Sequence, residues 1–281
     1  MIHAGLRPQT RFITWVWNRN RLMTTAITHT IDLHWAAIAG FYLLLLIPLV
    51  LFQRWQLGLS RTLVMSVLRM TLQLSVVGIY LHTLFGWQSI SLNVVWLTAM
   101  ALFASYTICK RSEVNVKRVL PAVICGQFVA LLVALPALLA GVIQVSPWWQ
   151  AQYMIPIAGM LLGNSLTANV LALSRWGSLL KENHQEYQYY LTMGAPTPAQ
   201  PFIRTAFKAA LTPQLASMAT LGIVSLPGMM TGQILGGAMP LVAVKYQLVI
   251  MVAIFVSGVL SVATTLTIVN RRSFDAYGNV L

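Results

Sequence analysis

Long apolar runs alternate with short polar connections along this chain. Seven of them approach or reach the roughly 20 residues that carry a helix across a bilayer core: Leu33–Phe52, Leu63–Phe85, Ile90–Ile108, Leu120–Val142, Met154–Leu173, Thr205–Leu226 and Ala243–Val269. Pro213 and Pro227 interrupt the sixth. The pattern predicts an all-α polytopic membrane protein with about seven transmembrane helices. Its membrane region would occupy 33–269, between an arm at 1–32 and a tail at 270–281. The first long run begins only near residue 33 and continues to full spanning length, unlike a secretory signal peptide. No internal repeat or low-complexity segment is present.

One connection breaks the rhythm. Residues 174–211 form the largest polar stretch between spans. The fifth helix is expected to run straight out of the membrane from Ser174 through Met193, with Gly194 as its C-terminal stop. Thr197 is placed to cap the next helix and Pro198 to occupy its first position. That helix would carry Phe202, Ala206, Phe207 and Ala210 on one side before re-entering the bilayer near Thr212. The prediction is a short helix–turn–helix held rigidly beyond the membrane.

Composition agrees with a membrane class. The chain is 58% hydrophobic and 8% charged, against about 25% charged residues in a soluble domain. The net charge of +13 is a statement about topology, because no compact soluble face exists to gather it for nucleic acid. Arg54, Arg61, Lys110, Arg111, Lys117, Arg118, Arg175, Lys181, Arg204, Lys208, Arg271 and Arg272 all fall in connections on one side or in the tail. The opposite connections, 86–89, 143–153 and 227–242, hold no basic residue. The positive-inside rule therefore places the first set in the cytoplasm. Seven spans then put the N-terminus outside, against Arg7, Arg11, Arg19 and Arg21. Either residues 1–22 form an interfacial arm with Phe12, Trp15 and Trp17, or they are not native and Met23 is the true start; the second is favoured because it removes all four misplaced charges.

The chemistry available inside the bilayer is sparse. The five acids, Asp32, Glu113, Glu182, Glu186 and Asp275, all avoid the span cores. A gradient-driven transporter commonly buries a carboxylate as a relay, and a membrane hydrolase needs a general base. The five histidines form no cluster, and Cys109 and Cys125 have neither disulfide nor zinc spacing. Arg69 does enter a span, and Thr62, Ser66, Arg69 and Gln73 share one helix face. That face either snorkels and bonds to neighbouring helices or lines a substrate path. Asn164, Thr167 and Asn169 pose the same choice between interhelical bonding and a translocation route. Gly126, Ala130 and Ala134, and Ser257, Ser261 and Thr265, are packing stripes, potentially at a dimer seam. Ser225, Pro227, Gly228, Met229, Met230 and Gly232 lie in a stretch, 222–237, that cannot be one continuous helix. It would form either a gate at the outer leaflet or a structured external loop. The two methionines could serve as soft metal ligands, although Met is more often a flexible filler.

The chain holds no G-x-x-x-x-G-K-[ST] phosphate loop, so any ATP use requires a separate subunit. The sequence resembles the FetB-type family of ABC transporter permeases. The resemblance rests on "IPIAGMLLGN" (155–164), "MGAPTPAQ" (193–200), "GIVSLPGMMTG" (222–232) and "VKYQ" (244–247), with support from "LRMTLQLSVVG" (68–78) and "CKRS" (109–112). Residues 1–22 fall outside it. The resemblance implies a homodimeric permease in the bacterial inner membrane, associated with iron export and, in plant relatives, with aluminium tolerance. It implies a soluble ATPase partner that holds ATP and Mg, with no cofactor on this chain. The implied coupling residues are Glu182, Glu186, Tyr190, Gly194, Ala195 and Pro198. Importers of this class carry an E-A-A-x-x-x-G pattern there, whereas Gln188, Tyr189 and Tyr190 stand at that spacing before Gly194. Arg69, Gln73, Asn164 and Asn169 are then candidates for the path, and 225–232 for an outer gate. The competing reading is a gradient-driven transporter or channel that needs no ATPase.

Overall fold

The structure is a computed structural model describing residues 34–87, 89–195 and 197–272, with side chains for all of these but 82–87. The expected arm at 1–32, with its arginines and the Met23 start, and the end of the tail from 273 onward lie outside the described residues. Every extended apolar run within them is helical. Helix α1 is Trp35–Arg54, with a tightened turn at Leu43–Leu45. Then follow α2 (Ser60–Trp87), α3 (Ile90–Arg111) and α4 (Val116–Pro136). Pro136 has no N–H for the α-helical ladder, and beyond it the chain widens into π-helical turns over Ala137–Ile143. Helix α5 is Ala151–Glu182, α6 is His184–Thr192, α7 is Gln200–Thr220, α8 is Gly228–Leu235 and α9 is Pro240–Arg272.

Six of these helices, α1 to α5 and α9, are long and apolar enough to cross a membrane. The expected sixth span falls on α7. Its 21 residues reach spanning length, but it is less apolar than those six because Arg204, Lys208, Gln214 and Ser217 ride on it. Pro213 does not interrupt this helix; it sits inside it. The helix ends at Thr220, short of Leu226, where Gly222 takes a φ of +84° that other residues rarely adopt.

The helices gather into two compact units. One holds the described residues up to Thr83 together with Gly228–Val244. Within it, Leu43, Leu46 and Leu49 of α1 face Leu63 and Val67 of α2 across a shallow apolar groove, and the Tyr42 hydroxyl lies 3.0 Å from Thr71 Oγ1. The most apolar stretches of α1 and α2 hold no buried residue, as expected for apolar surface whose solvent is lipid.

The other unit runs from Leu84 to Pro227 and resumes at Lys245. Here α3, α4, α5, α7 and α9 bury a common core that includes Ile108, Val123, Leu173, Ala206, Val262 and Leu266. Small residues let the helices approach. A Cβ on Gly126 of α4 would lie 2.7 Å from the Ser261 carbonyl of α9 and closer still to the Thr265 hydroxyl. The two small-residue stripes seen in the sequence therefore meet each other inside this chain.

Candidate functional site

The polar segment 174–211 forms a knob joined to the core of the second unit. At 1.5 Å per residue the 32 residues of α5 span about 48 Å, against a hydrocarbon core of about 30 Å. About a dozen residues must therefore project beyond the core. The projecting helix does not run on to Met193 as expected. It stops at Glu182, Asn183 leaves helical geometry at φ −112° and ψ 40°, and α6 begins at His184. Asn183 Nδ2 donates to the Leu179 carbonyl at 3.1 Å, which holds the break.

The stop at Gly194 is as the sequence suggests. Gly194 has φ +69°, its N–H donates to Leu191 O at 3.0 Å, and the Ala195 N–H donates to Tyr190 O at 3.1 Å. That pair of bonds is a Schellman motif, and its left-handed residue suits glycine. The restart differs from expectation. Thr197 does not cap and Pro198 is not the first residue; α7 begins at Gln200, with Pro201 in its first turn and Ala199 before it. The Thr197 hydroxyl donates instead to Gln200 Oε1 at 2.8 Å. Burial decides the register: starting two residues later puts Ala199 and Phe202 into the core.

Aromatic packing fastens the knob. Tyr187 is buried, and its ring meets Phe202 edge-on at 6.2 Å between centroids. Tyr190 meets the same ring at 6.5 Å. Tyr190 also donates its hydroxyl proton to Glu186 Oε1 at 2.9 Å. That bond, with the carboxylate's charge, holds the phenol pKa above its ordinary value. Glu182 pairs with Arg175 at 3.9 Å, an exposed contact of little energetic weight. Glu182, Glu186 and Gly194 are exposed, while Tyr190, Ala195 and Pro198 are half-buried.

With Tyr187, Tyr190 and Leu191 turned inward, α6 presents its opposite face outward. Tyr189 on this face is 60% exposed, and Met193, just past the helix end, is 68% exposed. The sequence reading did not single these two out. The signal was available: an inward stripe at 187, 190 and 191 leaves 185, 189, 192 and 193 on the far side of a 3.6-residue repeat.

The candidate path residues separate by environment. Asn169 is fully buried, and its Nδ2 donates to Ser165 O at 2.8 Å and to Ser261 Oγ of α9 at 2.7 Å. The Ser165 hydroxyl in turn donates to Gln127 Oε1 of α4 at 2.7 Å. This network bonds α4, α5 and α9 at membrane depth, and Gln127 was not foreseen in it. Asn164 lies on another face of α5, exposed, with Nδ2 bonded to its own Met160 carbonyl at 2.8 Å. It lines a cavity of about 190 Å³ with Thr167, Gln214, Ser217, Met218 and Met251, between α5, α7 and α9. Gly258 gives Gln214 its room: a Cβ there would lie 2.9 Å from Gln214 Oε1. That oxygen is buried without a hydrogen-bond partner among the described residues.

In the first unit, Thr62, Ser66 and Arg69 line one open groove along α2, with Arg61 and Met65. Gln73 is exposed further along the same helix. The stretch 222–237 is broken, as expected. Leu221 and Ser225 form a lone bridge, and α8 ends in a second Schellman motif at Gly237, φ +94°. Ser225 and Gly228 are exposed, Pro227, Met229 and Met230 half-buried, and Gly232 exposed on α8. Among the described residues no group of three His, Cys, Asp or Glu side chains could hold a metal ion.

Comparison with known proteins agrees with this architecture. The chain is 34% identical over 259 residues to the UPF0014 membrane protein slr1647 of Synechocystis, covering 89% of this chain and 98% of that protein. It is 30% identical over 243 residues to the "Probable iron export permease protein FetB" of Escherichia coli, covering 85% and 92%. It is 33% identical over 221 residues to the protein ALUMINUM SENSITIVE 3 of Arabidopsis thaliana, covering 76% and 77%. No solved structure matches at a significant level. Residues 35–274 match the profile of the uncharacterised protein family UPF0014, and the chain is a multi-pass membrane protein of that family.

Proposed function

We propose that this chain is the membrane permease subunit of an ABC transporter, acting as a homodimer with two separate ATPase subunits that bind ATP and Mg. The observation that carries the reading is the knob. An ATPase needs a rigid lever attached to membrane helices, and α6 is held by Tyr187 and Tyr190 against Phe202 at the mouth of α7. The exposed Tyr189 and Met193 offer an aromatic and a flexible apolar anchor of the type enriched at interfaces. Glu182, Glu186 and Gly194 border them, and Ala195 and Pro198 complete the turn. Clustering of Lys and Arg supports a cytoplasmic position for this face, in a bacterial inner-membrane protein with its N-terminus outside. ATP-driven closure of the ATPases would push on α6 and tilt α5 and α7.

The cavity at Asn164, Gln214 and Ser217 is the candidate route in each protomer, and the polar face with Arg69 and Gln73 on α2 is a separate candidate for lining the path. The stretch 225–232 is the candidate outer gate. Export of iron or another metal is the cargo reading, supported by the name of the Escherichia coli relative. A hard cation wants carboxylate or imidazole donors. The route offers amides, hydroxyls and backbone carbonyls, which suit brief coordination or a metal already held by a chelator. Co-purification tests the assembly. The ATPase encoded for this permease should be retained by the wild type and lost from Met193→Glu, while Gly163→Ala, far from the knob, retains it. Equal retention by both variants would remove α6 as the docking site.

A further inference from the structure

A second feature of the same unit is not explained by an ATPase or a cargo. A groove of about 780 Å³ opens between the α3–α4 turn and the projecting end of α5. Arg111, Arg118, Lys181 and His184 line it, against a single acid, Glu113. The one ion pair seen among the described residues is Arg175 with Glu182, so both arginines and the lysine stand without a carboxylate partner there. Trp176 also lines the groove; it is 6% exposed, and its buried indole Nε1–H has no acceptor among the described residues. The N-terminus of α4 opens at the same place. Asn115 makes no side-chain cap, and the first turn carries no acid. The Arg118 N–H donates to the Asn115 carbonyl, but the Val116 and Lys117 N–H groups ahead of it have no side-chain cap, and the positive end of the helix dipole meets no acid in its own first turn.

Apart from Glu113, then, the charged and indole groups here are donors. A donor-rich, positively charged groove selects an anion with several acceptor oxygens, and a phosphate is the closest fit. Its position selects the source. Arg111 ends α3, Arg118 lies in the first turn of α4, and Trp176 and Lys181 lie on the C-terminal end of α5, past the apolar run that closes at Leu173. That is the headgroup level, where basic pockets between membrane helices hold phospholipid phosphates. Val114 and Val119 in the groove wall can meet the glycerol and first acyl carbons.

We infer that the groove bounded by Arg111, Arg118, Trp176 and Lys181 binds the phosphate of an anionic phospholipid headgroup and so anchors the root of the knob to the bilayer surface. The inference goes beyond the transport reading and holds whether or not an ATPase docks on α6.

The test uses the full-length chain in nanodiscs of phosphatidylcholine with or without phosphatidylglycerol, read by native mass spectrometry and by melting temperature. Wild type should retain phosphatidylglycerol and melt higher in its presence. Arg118→Gln and Lys181→Gln should each weaken retention about fivefold, as expected for one basic residue at the surface. Trp176→Phe keeps an aromatic side chain and removes the N–H donor together with the pyrrole ring that carries it; it should weaken retention about tenfold, the effect of a lost bond to a charged group. Gly163→Ala serves as a folded control with unchanged retention. Equal melting in both lipid mixtures, or retention indifferent to all three substitutions, would overturn the inference. Two further outcomes would also overturn it: inorganic phosphate in detergent stabilising the chain as well as the lipid does, or the substitutions releasing the ATPase while leaving lipid retention intact.

Discussion

Gly126→Ala isolates the packing that holds the second unit together. An added Cβ would lie 2.7 Å from the Ser261 backbone carbonyl and would also strike the Thr265 hydroxyl. Thr265 can rotate away, but the carbonyl belongs to the α9 backbone and moves only if α4 and α9 separate. Overpacking of this type costs about 1–3 kcal/mol. Alanine also gains about 1 kcal/mol of helix propensity over glycine, which would mask part of the cost. Gly163→Ala on α5 supplies the correction, because a Cβ there meets nothing within 4 Å. The difference between the two variants cancels propensity and leaves packing. Gly126→Ala should be the less stable by about 1–3 kcal/mol, or several degrees of melting temperature at about 2–4 °C per kcal/mol. Thermal denaturation of both purified variants in one detergent measures it. If the two melt together, the close α4–α9 crossing is wrong, and with it the buried network around Asn169.

Asn169→Ala removes the donor to Ser261 Oγ and Ser165 O and should destabilise the chain by about 0.6–2 kcal/mol in a thermal melt. Tyr187→Ala empties the buried seat against Phe202; at a cost of about 3–5 kcal/mol, it should expose 183–199 to limited proteolysis. Tyr189→Ala and Met193→Ala change exposed groups, so each should shift stability by less than about 0.5 kcal/mol while weakening ATPase retention. Glu186→Gln should lower the Tyr190 pKa toward its ordinary value of 10.0, read by absorbance titration of the phenolate. The sign follows from the raised folded pKa: the bond's contribution is complete below the ordinary value and is lost as pH rises through the folded one.

The features written locally were legible. A left-handed stop needs glycine, and only Gly194 lies at the end of the 184–193 pattern. The broken geometry of 222–237 follows from Pro227 and the glycines beside it. What failed was set by distant partners. Both Thr197–Pro198 and Gln200–Pro201 carry helix-start signals, and the choice is made where Phe202 meets Tyr187. The break at Asn183 interrupts a pattern that reads as continuous, and its compensating bond to Leu179 has no distinct sequence signature. Pro213 reads as an interruption, yet the helix passes through it. Asn164 and Asn169 look alike in the sequence. One lines a cavity and the other bonds Ser261, because each helix face meets a different neighbour.

Transport by reconstituted proteoliposomes tests the coupling claim most directly. The purified chain would be inserted with or without the proposed ATPase, supplied with ATP and Mg, and followed by the movement of chelated iron across the bilayer. The expected result is negligible movement by the chain alone, ATP-dependent movement once the ATPase is added, and its loss in Met193→Glu. Movement at full rate without the ATPase would contradict a knob built to receive force.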